Sequence, residues 1–239
     1  MLVTTKAIVI SALKYGEADL IVKAYTLSDG LKTYMLKGVL KSRKGKLKAS
    51  LFQPLTQLEI VAKHRGKGTM EYLTDARLAH HYKSLHTDVV KSALIMFLAE
   101  VLRNSIQEEE ANQGLFNFLD NSFMMLDHTE QVGNFHLLFL LKLSGYLGFS
   151  PDATQKDLTC FNLLEGSFQE FKTNDYCIEG ENVEILSRFL GINFDEISRI
   201  KLNQSSRRNF LNMLLLYYEL HIEGFKKPRS LSVFNEIFS

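Results

Sequence analysis

The apolar spacing of this chain changes period once, near Arg77, and that switch constrains the fold more than any other feature of the sequence. Ahead of it, residues 4–14, 20–27, 31–37, 55–62 and 69–75 are short segments rich in Ile, Val, Leu and Thr that read as strands. Turn-forming residues divide them: 15–19 (YGEAD), Asp29-Gly30, and the run 63–68 with Gly66 and Gly68. Pro54 stands at the start of the fourth, where a ladder donor is not needed. In the first segment Lys6, Ile8 and Ile10 alternate with Ala7 and Val9, so both faces are expected to be covered. Five short strands in about 75 residues suit a small closed barrel.

Behind Arg77 the spacing becomes helical. Val89, Ala93, Met96, Phe97, Val101 and Leu102 recur at steps of three or four over 88–106, and Phe116, Leu119 and Phe123 mark one side of a helix over 113–127. Residues 132–147 are apolar almost all round, which places that helix at the centre of a bundle, ended by Gly148 and Pro151. Short strands or turns are expected at 161–164, 167–171 and 176–178, then two short helices at 181–191 and 193–200. Ser205 or Ser206 is expected to cap a long helix, and Leu231, Val233, Phe234 and Ile237 to pack the tail back on the bundle. The predicted architecture is α+β and multidomain: residues 1–80 as a five-stranded OB-fold barrel, an oligonucleotide-binding architecture, and 81–239 as an α-helical bundle domain with an irregular or β insertion at about 152–180.

Charge is distributed unevenly. The 239 residues carry a net charge of only +1, yet residues 1–80 hold 14 Lys/Arg against 6 Asp/Glu and residues 81–239 hold 14 against 21. The densest run is 37–48, KGVLKSRKGKLK, with six cations and no acid, set between the third and fourth strands. Over 30–70 there are ten Lys/Arg and one acid, Glu59. Such density on a barrel predicts phosphate contacts, salt-dependent and weakly selective for sequence. The candidate DNA-binding set is Lys37, Lys41, Arg43, Lys44, Lys46, Lys48, Lys63, Arg65 and Lys67. Base stacking would need an aromatic ring; Tyr25, Tyr34, Phe52 and Tyr72 are candidates, though each taken singly reads better as core, and Tyr34 is included in the set.

Other chemistries find little support. Cys160 and Cys177 make no disulfide framework, and a reduced intracellular chain is expected. The first residues lack a leader pattern, and no apolar run reaches membrane-spanning length, so a cytoplasmic protein is expected. His80, His81 and His86 point in different directions and join no carboxylate pair, so a junction role is the reading preferred to a metal site. Neither a nucleophile elbow nor a phosphate-binding P-loop pattern is present, and Glu17 and Asp19 in a turn make no nuclease centre. No enzymatic activity, cofactor or metal is expected.

Laid out in order, these segments resemble the bacterial RecO recombination-mediator family. The resemblance rests on the first strand, YGEAD, the strand ending near Thr26, the Gly30 turn, Lys37-Gly38, the basic linker and Gln53-Pro54. It continues in LFNFLDNSFMMLD with FHLLFLLKLSGYLGFSPD, and in LLLYYELHIEGFKKPRSL near the end. One departure is clear: many members carry four cysteines in CxxC pairs after the segment matching 149–152, whereas Cys160 and Cys177 here form no such pair, so no zinc is expected. The resemblance implies a non-enzymatic DNA-repair and recombination protein associated with the nucleoid. It would bind single- and double-stranded DNA and anneal strands coated with single-stranded-DNA-binding protein. With RecR, and in some bacteria RecF, it would help load RecA. It further implies a groove in the helical domain for the acidic, hydrophobic C-terminal tail of single-stranded-DNA-binding protein, with Arg103, Lys142, Arg207 and Arg208 as candidate cations. An OB-fold nucleic-acid adaptor without mediator activity is the alternative.

Overall fold

The computed structural model describes residues 1–41, 47–64, 70–107 and 110–238. By internal contacts the chain divides into two compact units, Met1–His128 and Thr129–Ser239.

In the first unit, β1 (Leu2–Tyr15) serves two neighbours. Its second half is antiparallel to β2 (Asp19–Thr26), and its first half to β4 (Gln57–Lys63). A bulge at Ile10, between the pairs Val9↔Ala24 and Ser11↔Lys23, supplies the bend and extra twist that such sharing requires. With β3 (Gly30–Leu36) and β5 (Tyr72–Leu78) the order is β3-β2-β1-β4-β5. The two edges meet at one point, an isolated parallel bridge between Tyr34 and Glu71. There the Met35 amide donates to Glu71 O at 2.9 Å and the Glu71 amide to Thr33 O at 2.8 Å. Five antiparallel strands touching at that single bridge make the partly open barrel of an OB-fold.

Ala7, Val9, Val22, Ala24, Tyr34, Leu36, Leu58 and Ile60 fill the barrel. The opposite face of β1 is covered as well: Ile8 and Ile10 are buried there. Tyr25, paired with Ile8, stacks on Phe116 with ring centroids 6.4 Å apart. The covering elements are α1 (Val89–Ser105), which packs on β1, and α2 (Gln113–His128), which carries Phe116. A carboxylate ties them down. Asp127, near the end of α2, accepts the successive amides of Lys83, Ser84 and Leu85 at 2.8–3.0 Å. Lys91 of α1, itself buried, donates to Asp127 O at 2.8 Å and to Ser84 Oγ at 2.7 Å, placing a cation at the carbonyl end of α2.

Strand bounds differ from the sequence reading by one to three residues, and at two of them the cause is visible. The fourth strand begins at Gln57, not 55, because buried Leu55 takes φ +60° after Pro54 and turns the chain by donating to Val9 O at 2.7 Å. The fifth runs to Leu78 rather than 75, since a bulge at Val61/Ala62 shifts the register until Leu58 faces Leu78 and Glu59 faces Arg77.

In the second unit α3 (Phe135–Tyr146) is the centre: nine of its twelve residues are buried, as apolar residues on every side predict. It packs against α5 (Gln204–His221), where the Tyr218 hydroxyl donates to Leu140 O at 2.7 Å. Asn203, not Ser205 or Ser206, caps α5: its side chain accepts from the Ser206 amide at 2.8 Å, and Ser206 is buried inside the first turn. Strands β6 (Cys160–Asn162), β7 (Ser167–Gln169) and β8 (Cys177–Glu179) form a small antiparallel sheet ordered β7-β6-β8. One face sets Phe161 and Phe168 edge to face at 4.9 Å, with Phe161 against Tyr217. On the other, buried Asn162 accepts the amides of Leu164 and Glu165 and donates to Thr173 Oγ1. Hydrogen bonds therefore hold the 160–179 segment together. Helices α4 (Glu181–Phe189) and α6 (Leu231–Ile237) complete the unit. Among the described residues no helix is long and apolar enough to cross a membrane.

Candidate nucleic-acid interface

Strand β3 connects the two basic segments. The first leaves its C-terminal end at Lys37, and the return arm of the second is bridged to it through Glu71. That bridge runs parallel, so Met35 and Tyr72, the residues that follow, both come to the outer side. Register extends this outer face across β2, where Ile21 faces Met35 and Lys23 faces Thr33.

Lys37, Lys48 and Lys63 are all exposed and, among the described residues, none forms an ion pair. Lys41 is exposed too, but its Nζ lies 2.7 Å from Glu17 Oε2 in the β1–β2 turn. The loop's first residues are moored to that turn, the Gly38 amide on Asp19 Oδ1 at 2.7 Å and the Leu40 amide on Ala18 O at 2.9 Å. An exposed pair such as Lys41–Glu17 contributes little, about 0–1 kcal/mol, so a phosphate can replace Glu17 at small cost. Arg43, Lys44, Lys46, Arg65 and Lys67 lie outside the described residues.

Tyr34 must be removed from the stacking set. It is 0% exposed inside the barrel, where its hydroxyl pairs with His64 Nε2 at 2.9 Å. Burial, with Asp29 and Glu71 close by, pushes its phenol well above the ordinary value. Asp29 sits 3.2 Å from His64 Nδ1; burial raises its pKa, but the Ser28 hydroxyl and then His64 outweigh that and hold it below the usual carboxylate value. Tyr34, His64 and Asp29 therefore brace β3 against the base of the second basic segment, and a ring enclosed in this way offers no face to a base. Tyr25 and Phe52 are buried as well. Tyr72, 38% exposed and paired in register with Lys63, is the aromatic that remains on the surface. Lys23 escaped the sequence reading, although it is the sole cation in β2 and shares the outward parity of Ile21.

The proposed tail-binding cations fall in both units. Arg103 ends α1 in the first. In the second, Lys142 is taken up by Asn193 Oδ1 at 3.2 Å. Arg207 and Arg208 line a small recess with His136, Leu211, Phe234 and Phe238. Arg207 also lines a cleft of about 250 Å³ walled by Ile197, Ile200 and Leu202, with Lys201 at its edge. Its guanidinium is half-buried and donates to Asn134 Oδ1 at 3.2 Å and Leu202 O at 3.1 Å, and it has no ion pair among the described residues. A half-buried cation without a counter-charge, in a cleft that mixes polar and apolar walls, is suited to an anionic group. Sequence carried no signal of this, since Asn134 and Leu202 meet Arg207 only in the folded unit. Among the described residues no group of three or more His, Cys, Asp or Glu could hold a metal ion. His86 contacts Pro54 O at 3.0 Å and sets its ring edgewise to Tyr82, a packing role.

Comparison with known proteins gives the family. The family described as Recombination protein O N terminal matches residues 1–82, and Recombination protein O C terminal matches residues 86–231. Among curated relatives, a DNA repair protein RecO of Christiangramia forsetii is 68% identical, with both chains covered completely. Proteins of the same name from Flavobacterium johnsoniae and Porphyromonas gingivalis are 44% and 26% identical, also over the whole of both chains. With an OB-type barrel matched by the one family domain and a helical unit by the other, the chain belongs to the RecO family of DNA repair and recombination proteins.

Proposed function

We propose that the chain binds single- and double-stranded DNA on the outer face of β2–β3 and the two basic segments, and anneals complementary strands coated with single-stranded-DNA-binding protein. With RecR, and where present RecF, it would then assist RecA loading in the cytoplasm. The supporting observation is that Lys37, Lys48 and Lys63 stand exposed, with no ion pair among the described residues, and that Tyr72, in register with Lys63, is exposed as well. Lys41, Arg43, Lys44, Lys46, Arg65 and Lys67 extend that cation set along the same two segments. The protein's part is electrostatic. Its cations neutralise phosphates of two strands at once, so repulsion falls and pairing starts; no bond is made or broken by a side chain. In the second unit, the cleft at Arg207 would receive the acidic, hydrophobic tail of single-stranded-DNA-binding protein, Arg207 taking a carboxylate.

Salt-dependent binding to a short single strand tests the reading. Log K should fall with log salt at about 0.7 per phosphate neutralised. Charge reversal at Lys41, Arg43, Lys44 and Lys46 should lower both affinity and slope, and unchanged affinity would reject the interface. Tyr72→Ala should weaken binding by about 1–3 kcal/mol if a base stacks there, while Tyr34→Phe leaves affinity intact. Binding without faster annealing of coated strands would instead identify an adaptor.

A further inference from the structure

The small sheet of the second unit brings two thiols together on its hydrogen-bonded face. In the β6–β8 register Asn162 faces Cys177 and Cys160 faces Glu179, so Cys160 and Cys177 lie diagonally across the strand pair on the same side. Both are free and buried, Cys177 keeping 6% exposure. Thr173 and Gln169 lie against the Cys177 sulfur. The Thr173 amide donates to it at 3.4 Å, and the Thr173 hydroxyl, which donates to Gln169 Oε1 at 2.9 Å, lies 3.5 Å away. Hydrogen bonds to sulfur favour the thiolate over the thiol. Burial opposes ionisation of both, but at Cys177 the contacts with Thr173, then with Asn174 and Cys160, outweigh it and hold that thiol below its ordinary value. Cys160 goes the other way, raised by burial and then by Cys177 and Glu179, with Lys172 offsetting a part. One sulfur is thus prepared to attack, and its neighbour stays protonated within reach.

We propose that Cys177 and Cys160 form a hydroperoxide-responsive dithiol, Cys177 as the attacking thiolate and Cys160 as the thiol that resolves it. In the first step the Cys177 sulfur attacks one peroxide oxygen, the O–O bond breaks, and the departing hydroxide takes up a proton to leave as water. Sulfur is oxidised by two electrons to the sulfenic acid, and the peroxide is reduced. In the second, the Cys160 sulfur attacks that of Cys177 while the S–O bond breaks. The leaving hydroxide takes the Cys160 proton, and a second water departs. A diagonal pair in a regular sheet spaces its Cα atoms roughly 7–8 Å apart, beyond the ~4.4–6.8 Å of ordinary disulfides. Closure therefore draws the ends of β6 and β8 together, and such a bond is one that thiol reductants reopen.

The test treats the full chain with hydrogen peroxide, alkylates the remaining thiols, and reads intact mass and peptide maps. The expected product is a monomer lighter by two hydrogens, with a 160–177 crosslink that reduced glutathione reverses. In Cys160→Ser the oxidation stops at a Cys177 sulfenic acid that dimedone traps; in Cys177→Ser, Cys160 stays open to alkylation. Thr173→Val, which keeps both thiols, should slow oxidation by about threefold or more. Two fully alkylatable thiols after treatment, a crosslink only between chains, or an unchanged rate in Thr173→Val would overturn the proposal.

Discussion

Asp127 occupies a concavity of three consecutive amides, Lys83, Ser84 and Leu85, and the Ser84 hydroxyl adds a fourth donor. Burial alone raises a carboxyl pKa, but here those donors outweigh it and the group is held below its usual value. Asp127→Ala leaves amides without their acceptor, and a loss of about 3 kcal/mol in urea unfolding is expected. Because the folded pKa is lowered, this stabilisation is complete above the unfolded value near ~3.9 and disappears as pH falls through the folded one. The variant should therefore show a flatter stability curve than the parent below about pH 4. His136 acts over a higher window. It is fully buried edgewise against the stacked rings of Phe234 and Phe238, and burial, then Arg207, lowers its pKa from 6.5 to about 3. The neutral ring is the folded form, so stability is present above pH 6.5 and declines as pH falls toward 3. By pH 5 the loss is on the order of 2 kcal/mol. His136→Phe should abolish that decline, whatever it costs at pH 8; an unaltered difference between pH 7 and pH 5 would refute the assignment.

At the scale of elements, alternation and helical spacing located nearly every strand and helix, because most side chains here lie wholly inside or wholly outside. They could not say which face of β3 is inward. Lys32, Tyr34 and Leu36 on one side and Thr33 and Met35 on the other both mix polar with apolar residues, so pattern alone leaves Tyr34 both a core residue and a stacking candidate. The decision belongs to the Tyr34–Glu71 bridge and to His64, which approaches from the end of β4. The basic segments were legible because charge runs need no tertiary contact. Arg207 was one of four equal candidates until Asn134 and Leu202 were seen to hold it. The small sheet was legible in outline only, since its cohesion comes from Asn162 and Thr173 rather than from any pattern. Its β6–β7 turn contains a sharp steric test. Gly166 has φ +67°, and a Cβ there would stand 2.6 Å from the Tyr217 hydroxyl, which is itself committed to Phe149 O at 2.8 Å. Gly166→Ala combines backbone strain with displacement of a buried tyrosine, and about 2–4 kcal/mol of destabilisation is expected. Gly166→Ala with Tyr217→Phe should recover a part of it, as thermal melts of the single and double variants would show.

For the whole molecule, the question is where the barrel's stability comes from. Family matching breaks near residue 82, and a barrel alone would end near 80. The contacts run further. Ile8, Ile10 and Tyr25 on the outside of the sheet are buried, and α1 and α2 are the elements that pack there. Gln57 donates to Asp120 O in α2 at 2.8 Å. The Pro54–Leu55 turn is held from beyond residue 80 as well. Tyr82 donates to Leu55 O at 3.1 Å and His86 contacts Pro54 O, fixing a leucine at φ +60° that has a conformational cost. A chain cut at residue 80 exposes that apolar face and releases both clamps; it should aggregate or unfold without a cooperative transition. A chain cut at residue 128 keeps α1, α2 and the Asp127 network. It should melt cooperatively and bind a short single strand with the salt slope of the full chain, since the basic segments lie within it. A cooperative melt of residues 1–80 at the stability of residues 1–128 would show instead that the helices only decorate the barrel. The comparison needs calorimetry and one binding isotherm per fragment, and it assigns α1 and α2 to the DNA-binding unit or to the helical one.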